Sequence, residues 1–300
     1  MEVKVLDKGL VKLVGFTVDL DDLAPAGFDD HLPTYSYRLD LDKGLDAQVV
    51  RAARASYTGG TKTKREDAAL IDYLIRHGHW SPFEMVQVKF FVKAPLFVVQ
   101  QLLRHRTFSF NQESARYSVI EDEYYMPEAF RKQDTRNKQG SLPDTPMDSE
   151  GLLARYQRTV EASLLAYHQL LQMGVAREMA RMVLPVSVYT KLYVRGDLRN
   201  WLHFLELRLD DHAQWEIRQY AEAIYHILKF LAPTTLKSWE EHVLYSMTFS
   251  RKELRFLQDV LRASQDQQET LFQQHTGFTE DPLTESQARE LKDKLNRLLL

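Results

Sequence analysis

An apolar run from Ala94 to Leu103 ends abruptly in Arg104-His105-Arg106-Thr107-Phe108-Ser109-Phe110-Asn111-Gln112-Glu113-Ser114-Ala115-Arg116-Tyr117. The run reads as a buried helix, so the polar stretch after it must sit at the margin of a core. Interring that much unpaired polarity would cost several kcal/mol. Any fold this chain adopts therefore delivers the segment to a ligand or a polar interface. Arginine forks pair with two oxygens at once, which points to phosphate or carboxylate. The competing reading is an internal ion-pair network with Glu84, Glu113 or Asp210.

Counting arginines favours the ligand. Arg104, Arg106, Arg116, Arg181, Arg199 and Arg208 all lie in or beside apolar elements, and a core rarely needs so many cations. The formal net charge is −3, so no global field draws nucleic acid, and no continuous basic stripe suggests it. The chain has no cysteine. That excludes a disulfide scaffold, a thiolate metal site and a cysteine nucleophile. No run of roughly 18 apolar residues is present to span a membrane. Met1 to Asp21 lacks the apolar centre of a signal peptide, so a cytoplasmic protein is expected.

Patterning predicts interspersed elements. Leu10 to Val18 reads as a strand, Asp19 to Pro33 as an acidic loop, and Asp46 to Ser56 as a helix. Tyr57 to Lys64 reads as a hydroxyl-rich turn. A helix over Glu66 to His77 shows an apolar stripe of Ala69, Leu70, Tyr73 and Leu74, with Gly78 as its left-handed cap. Val86 to Lys93 alternates like a strand, and Pro95 opens a helix reaching about Arg106. Tyr117 to Tyr125 reads as a strand, and Met126 to Ser149 as a long surface excursion. Helices follow over Leu152 to Met173 and Ala176 to Leu184, the second stopped by Pro185. Val186 to Val194 alternates as a strand. Two more helices, Leu198 to Leu209 and His212 to Leu231, flank Asp210-Asp211, and Pro233 ends the second. The core ends near residue 245, leaving a helical, charged extension over 246–300. Without regular βαβ spacing the class is α+β.

Other chemistries are weaker. His77 and His79 with Glu84, or His203 and His212 with Asp210 and Asp211, lack an obvious further metal ligand. Ser114 sits in no G-x-S-x-G elbow and reads as a hydrogen-bonding group at a ligand.

The central stretch fits R-H-R-x-x-S-x-N-x-x-S-x-R at every fixed position, from Arg104 to Arg116. This resembles the signature of the flavin-dependent thymidylate synthases. Further segments are similar to that family's: Ala52-Ala53-Arg54-Ala55-Ser56-Tyr57, His77-Gly78-His79-Trp80-Ser81-Pro82-Phe83-Glu84, Ala180 to Pro185, and Leu207 to Arg218. Roughly residues 5 to 240 are covered. The resemblance implies methylation of dUMP to dTMP, with 5,10-methylenetetrahydrofolate as carbon donor and FAD, reduced by NADPH, as hydride carrier. The missing thiol agrees, because the unrelated class of thymidylate synthase attacks uracil with a cysteine.

The resemblance also implies roles. For dUMP these fall on Gln101, Leu102, Leu103, Arg104, Gln112, Glu113, Ser114, Ala115, Arg116, Arg181 and Arg208. Arg181 would reach in from a neighbouring subunit, and Arg208 would be catalytic, favouring the N3-deprotonated ring. FAD positions fall on Ser56, Ser81, Glu84, Arg104, His105, Arg106, Gln112, Asp197, Leu198, Arg199 and His203, with His79 near the folate. No metal is implied. Three departures stand out: Asp197 and His203 each replace an asparagine of some members, and Met85 replaces a histidine. An acid at 197 would disfavour flavin phosphates unless paired, with Arg199 as the expected partner. The family fold is a mixed subunit with a central, largely antiparallel sheet flanked by helices. It is assembled as a homotetramer with active sites at subunit junctions. Two other readings compete with the enzyme: a nucleotide-binding module that has lost catalysis, supported by Asp197 and the extension, and a nucleic-acid binder using the arginines.

Overall fold

A computed structural model of the chain describes residues 1–19, 23–25, 37–39, 44–55, 64–135, 138–142, 146, 148–251 and 254. Two strands open it, β1 (Glu2–Val5) and β2 (Gly9–Phe16), followed by a small hairpin of β3 (Leu23–Pro25) and β4 (Tyr37–Leu39). Then come α1 (Gly44–Arg54), α2 (Lys64–Arg76), the short α3 (Ser81–Glu84), β5 (Gln87–Pro95), α4 (Leu96–Leu102) and β6 (Ser109–Gln112). A second small hairpin, β7 (Lys132–Gln133) and β8 (Ser141–Leu142), precedes α5 (Ser149–Gln172), α6 (Arg177–Ala180) and β9 (Tyr189–Asp197). Helices α7 (Leu198–Arg208), α8 (Trp215–Leu231) and α9 (Pro233–Trp239) follow, and a π-helical turn over Glu240–Leu244 closes the described elements. The main sheet has the order β1-β2-β5-β9-β6, every neighbouring pair antiparallel. The class is α+β, as the patterning implied.

Strand β5 shows why the sheet forms. Val88, Phe90, Val92 and Ala94 are all buried, while Lys89 between them is exposed. That period-2 alternation puts one face of the strand on a core. The helices α1, α2, α7, α8 and α9 supply the other wall, with Leu45, Ile71, Trp201, Phe204, Ile224 and Trp239 among the buried residues. A second, smaller core lies under α5, where Val160, Leu164 and Tyr167 meet Ile120, Ala180 and Val188.

Several expectations change. Helix α4 stops at Leu102, not near Arg106: Arg104 and His105 donate their N–H groups to the carbonyls of Gln101 and Leu102, three residues back, one residue tighter than in an α-helix. Tyr117 to Tyr125 is not a strand. Ile120 turns into the core under α5 instead, and only Tyr124 bridges to Val188. In α2 the buried face is Ile71, Leu74 and Ile75, whereas Ala69 and Tyr73 are exposed. Helix α6 is a single turn followed by a 3₁₀ turn, Arg181–Val183. The strand expected from Val186 begins at Tyr189 and runs to Asp197. Pro233 follows the end of α8 but also opens α9, because its missing N–H costs nothing at a first turn. Strands β1 and β6 were not anticipated. Gly78, with φ +68°, ends α2 as expected.

The chain divides into two compact units, Met1–Tyr245 and Ser246–Leu300. The helical reading of the extension falls outside the described residues, as do Ser56 and the turn over 57–63. Among the described residues no helix is long and apolar enough to cross a membrane.

Candidate active site

The tightened turn after α4 sorts the signature side chains by face. Leu102, His105 and Phe108 point inward and are buried, while Leu103, Arg104 and Arg106 are exposed. Phe108 packs 4.2 Å from the Trp201 ring, and its approach to β9 is so close that a Cβ on Gly196 would meet the ring at 2.4 Å. Glycine at 196 is what admits it. Among the described residues neither Arg104 nor Arg106 has an acidic partner. The internal ion-pair network is therefore not formed: Glu84 pairs with Arg199, and Asp210 takes the backbone and ring of His212.

His105 sits 4.9 Å from the Phe204 ring, edge to face, and stacks on Phe108 at 5.8 Å. Its Nε2 accepts a hydrogen bond from Arg208 Nε at 3.0 Å. Arg208 Nη2 also donates to the Gln101 carbonyl at 3.4 Å. Burial first, then the Arg208 charge, then His203, hold the His105 imidazole down at about 4. It is neutral at ordinary pH, with the proton on Nδ1. Burial also lowers the Arg208 guanidinium from its ordinary value. The Gln101 side chain donates to Gln214 at 2.5 Å, and Gln214 donates to the buried Glu216 at 2.9 Å, which in turn takes Arg131 at 2.7 Å. This relay reaches from the end of α4 to the 126–149 excursion.

The second half of the signature forms another group. Gln112, Glu113 and Ala115 line a cavity of about 160 Å³ together with Arg181 and Thr190. Gln112 donates to Thr190 Oγ1 at 3.2 Å. Ser114 Oγ accepts from the Arg116 backbone N–H at 3.3 Å, which braces a turn. Arg116 and Arg181 both lean on Glu178, the first at its carboxylate, 3.6 Å away, and the second at its carbonyl, 3.4 Å away. Among the described residues no hydrogen bond or ion pair joins this group to Arg208.

A third feature is a cleft of about 440 Å³ whose lining includes Trp80, Glu84, Thr107, Arg199 and His203. Asn200, Glu206 and Trp239 also line it. No spacing in the sequence singled these out; α7 and α9 bring them there. Ser81 is exposed at the start of α3, and His79 is exposed beside Tyr73, with ring centroids 5.8 Å apart. Leu102 and Leu198 turn into the core, and the Leu198 N–H is taken by the Val86 carbonyl. Asp197 does not pair with Arg199. Its carboxylate caps α7, accepting from the Asn200 backbone N–H at 2.9 Å and the Asn200 side chain at 2.6 Å. The acid is thus spoken for by the helix start. His203 bonds Glu206 at 3.2 Å. Among the described residues no group of three or more histidine and acidic side chains is placed to hold a metal.

The donor set fits a dinucleotide. It offers two exposed arginines without acid partners among the described residues, and a polar cleft walled by Trp80 and lined by Arg199, Asn200 and His203. Residues 39–234 match a family model described as thymidylate synthase complementing protein. A Thermus thermophilus protein named flavin-dependent thymidylate synthase is 49% identical over 261 residues, which is 87% of this chain and 86% of that one. A Dictyostelium discoideum protein of the same name is 40% identical over 255 residues, 84% and 78% of the two chains. Among solved structures, the UMP/dUMP methylase PolB from Streptomyces cacaoi, bound with 5-Br dUMP, is 31% identical. Its TM-score is 0.66, over 82% of this chain and 100% of that one. Identity this high over this much of both chains reflects shared descent, and the chain belongs to the flavin-dependent thymidylate synthase family.

Proposed function

We propose that the protein methylates dUMP to dTMP, taking carbon from 5,10-methylenetetrahydrofolate. FAD, reduced by NADPH, supplies the hydride when bound. The observation that carries the reading is Arg208: a half-buried guanidinium with no acid partner among the described residues, its inner edge fixed by His105 and the Gln101 carbonyl. A cation so held keeps its charge for a ligand. Set against uracil N3 and an adjacent carbonyl, it stabilises the N3 anion and makes C5 electron-rich. Arg104 and Arg116 take the nucleotide phosphate by charge-assisted hydrogen bonds, with Arg181, Gln101 and Ser114 beside them. Arg106, Arg199, Ser81, Glu84 and His203 hold the flavin nucleotide along the cleft, and His79 lies on the folate side. The absence of any cysteine leaves no thiolate to add to the uracil ring.

We further propose a homotetramer in which each active site combines the Arg208 group of one subunit with the Arg181 group of another. The support is that one chain holds these groups apart, with no bond between them among the described residues. A module without catalysis loses its residue-level argument, since Asp197 serves as a helix cap.

The test is tritium release from 5-tritiated dUMP, given FAD, NADPH and the folate donor, with the visible spectrum taken alongside. Flavin absorbance with folate-dependent release is expected. Protein that neither carries nor binds FAD, or that binds dUMP without releasing tritium, overturns the reading.

A further inference from the structure

We infer that His105 is a positioning residue for Arg208. It accepts the Arg208 Nε–H on a neutral imidazole and so points the guanidinium's remaining donors at the substrate without sharing its charge. The inference rests on the proposed role of Arg208 at the uracil.

The geometry carries it. A guanidinium has five N–H donors in one plane. Arg208 spends one on His105 Nε2 at 3.0 Å and one on the Gln101 carbonyl at 3.4 Å. Those two contacts fix the plane and, among the described residues, leave the outer edge without a partner, a fork matched to a ring nitrogen and its neighbouring carbonyl. The identity of the acceptor matters. A carboxylate in that place would orient Arg208 equally well but would neutralise it, and the uracil anion would then compete with a resident anion. An imidazole has one lone pair and no charge. It accepts from Nε and takes nothing from the cation's field.

The surroundings enforce that state. Phe108 and Phe204 pack on the ring, and the residue is 8% exposed. Among the described residues the charged or titratable groups that act on it are Arg208 and His203, both on α7, and neither is an acid. A protonated His105 would lose its acceptor and face Arg208 as a second cation, so the protein favours the Nδ1–H tautomer. The two residues lie 103 positions apart. The ring is turned away from solvent, so any contact between this segment and the flavin falls to Arg104, Arg106 and the backbone.

Three proteins test this: the parent enzyme, His105→Phe and His105→Gln. Phenylalanine keeps the packing and removes the acceptor, whereas glutamine offers a neutral oxygen near the Nε2 position. Each is measured for FAD uptake, dUMP KM and kcat. His105→Phe is expected to bind FAD and to lose roughly 50-fold in kcat with KM within about threefold, because the lost orientation acts in the transition state. His105→Gln should recover to within about fivefold of the parent. The inference is overturned if His105→Phe turns over like the parent, or if the two variants fall equally. A second readout guards against misfolding of either variant. In the flavin-free parent, ¹⁵N-histidine spectra should show one ring with Nε2 unprotonated from pH 8 down to pH 5. A ring at position 105 protonated on Nε2, or titrating near the ordinary histidine value, overturns it as well. A parent that releases no tritium would overturn the functional reading instead, and the spectra would still decide the hydrogen bond.

Discussion

Arg208 and His105 show how two side chains divide one task. The cation meets the substrate and the neutral ring aims it, so their losses should differ in kind. Arg208→Ala is expected to retain the flavin spectrum while kcat drops by about two to three orders of magnitude, the usual cost of removing one preorganised charge-stabilising donor; near-parent turnover would refute its assignment. His105 also makes a stability prediction. Its folded value is about 4, below the ordinary 6.5, so between those values the unfolded chain binds the extra proton. Stability from this group is therefore complete above pH 6.5, falls as the pH drops toward 4, and is flat below. The integrated effect is at most about 3 kcal/mol. In denaturant unfolding of the flavin-free proteins, the parent should lose up to about 2 kcal/mol of this relative to His105→Gln between pH 7 and 4.5. Parallel pH profiles would show that the ring is not held neutral. The resemblance implied the task of Arg208, but its pairing with His105 was not legible from the chain alone. Spacing marked both residues as polar groups beside apolar elements, but their hydrogen bond exists only because α7 crosses beneath the turn after α4.

At the level of elements, the readable features were those with strong local periodicity. Helix α5, with a full apolar stripe and Gly174 after it, came out within a few residues, and so did α7 and α8. The failures share one physical cause. Strand β6 is short, and its pattern is overwritten by the polar signature; it forms because β9 offers an unpaired edge. Tyr117 to Tyr125 reads as a strand but gains only the Tyr124 bridge to Val188, and Ile120 takes the apolar surface under α5 instead. Tertiary supply of a partner decided both cases. Gly196 shows how tightly β9 and the signature are fitted. Replacing it with alanine drives a methyl group into a Phe108 ring already packed on Trp201 and His105. Overpacking of this kind costs about 1–3 kcal/mol. Because Phe108 supports His105, Gly196→Ala should also lower kcat at temperatures where it remains folded. A variant as stable and as active as the parent would mean that the ring moves aside freely.

The molecule as a whole must explain why the proposed nucleotide ligands fall into two groups. Within one chain, Gln101 and Arg208 are tied together on one side, and Gln112, Glu113, Ala115 and Arg181 line a separate cavity on the other. In the composite site proposed above, a single nucleotide touches both groups through a second copy of the chain, and the exposed Met179, Met182 and Val186 near Arg181 offer apolar surface for such a contact. Shared sites have a signature that separate sites lack. Arg208→Ala and Arg181→Ala should each be nearly inactive alone. Unfolded together in equal amounts and refolded, they form mixed oligomers. In these, one site in about four draws an intact Arg208 from one subunit and an intact Arg181 from another, if closed symmetric assembly is random. Activity should then rise toward about a quarter of the parent's, with FAD content unchanged. If each chain builds its own site, every site in the mixture carries one defect, and the mixture stays as inactive as its parts. The second result would dismiss the composite site and would leave the chemistry proposed for Arg208 standing.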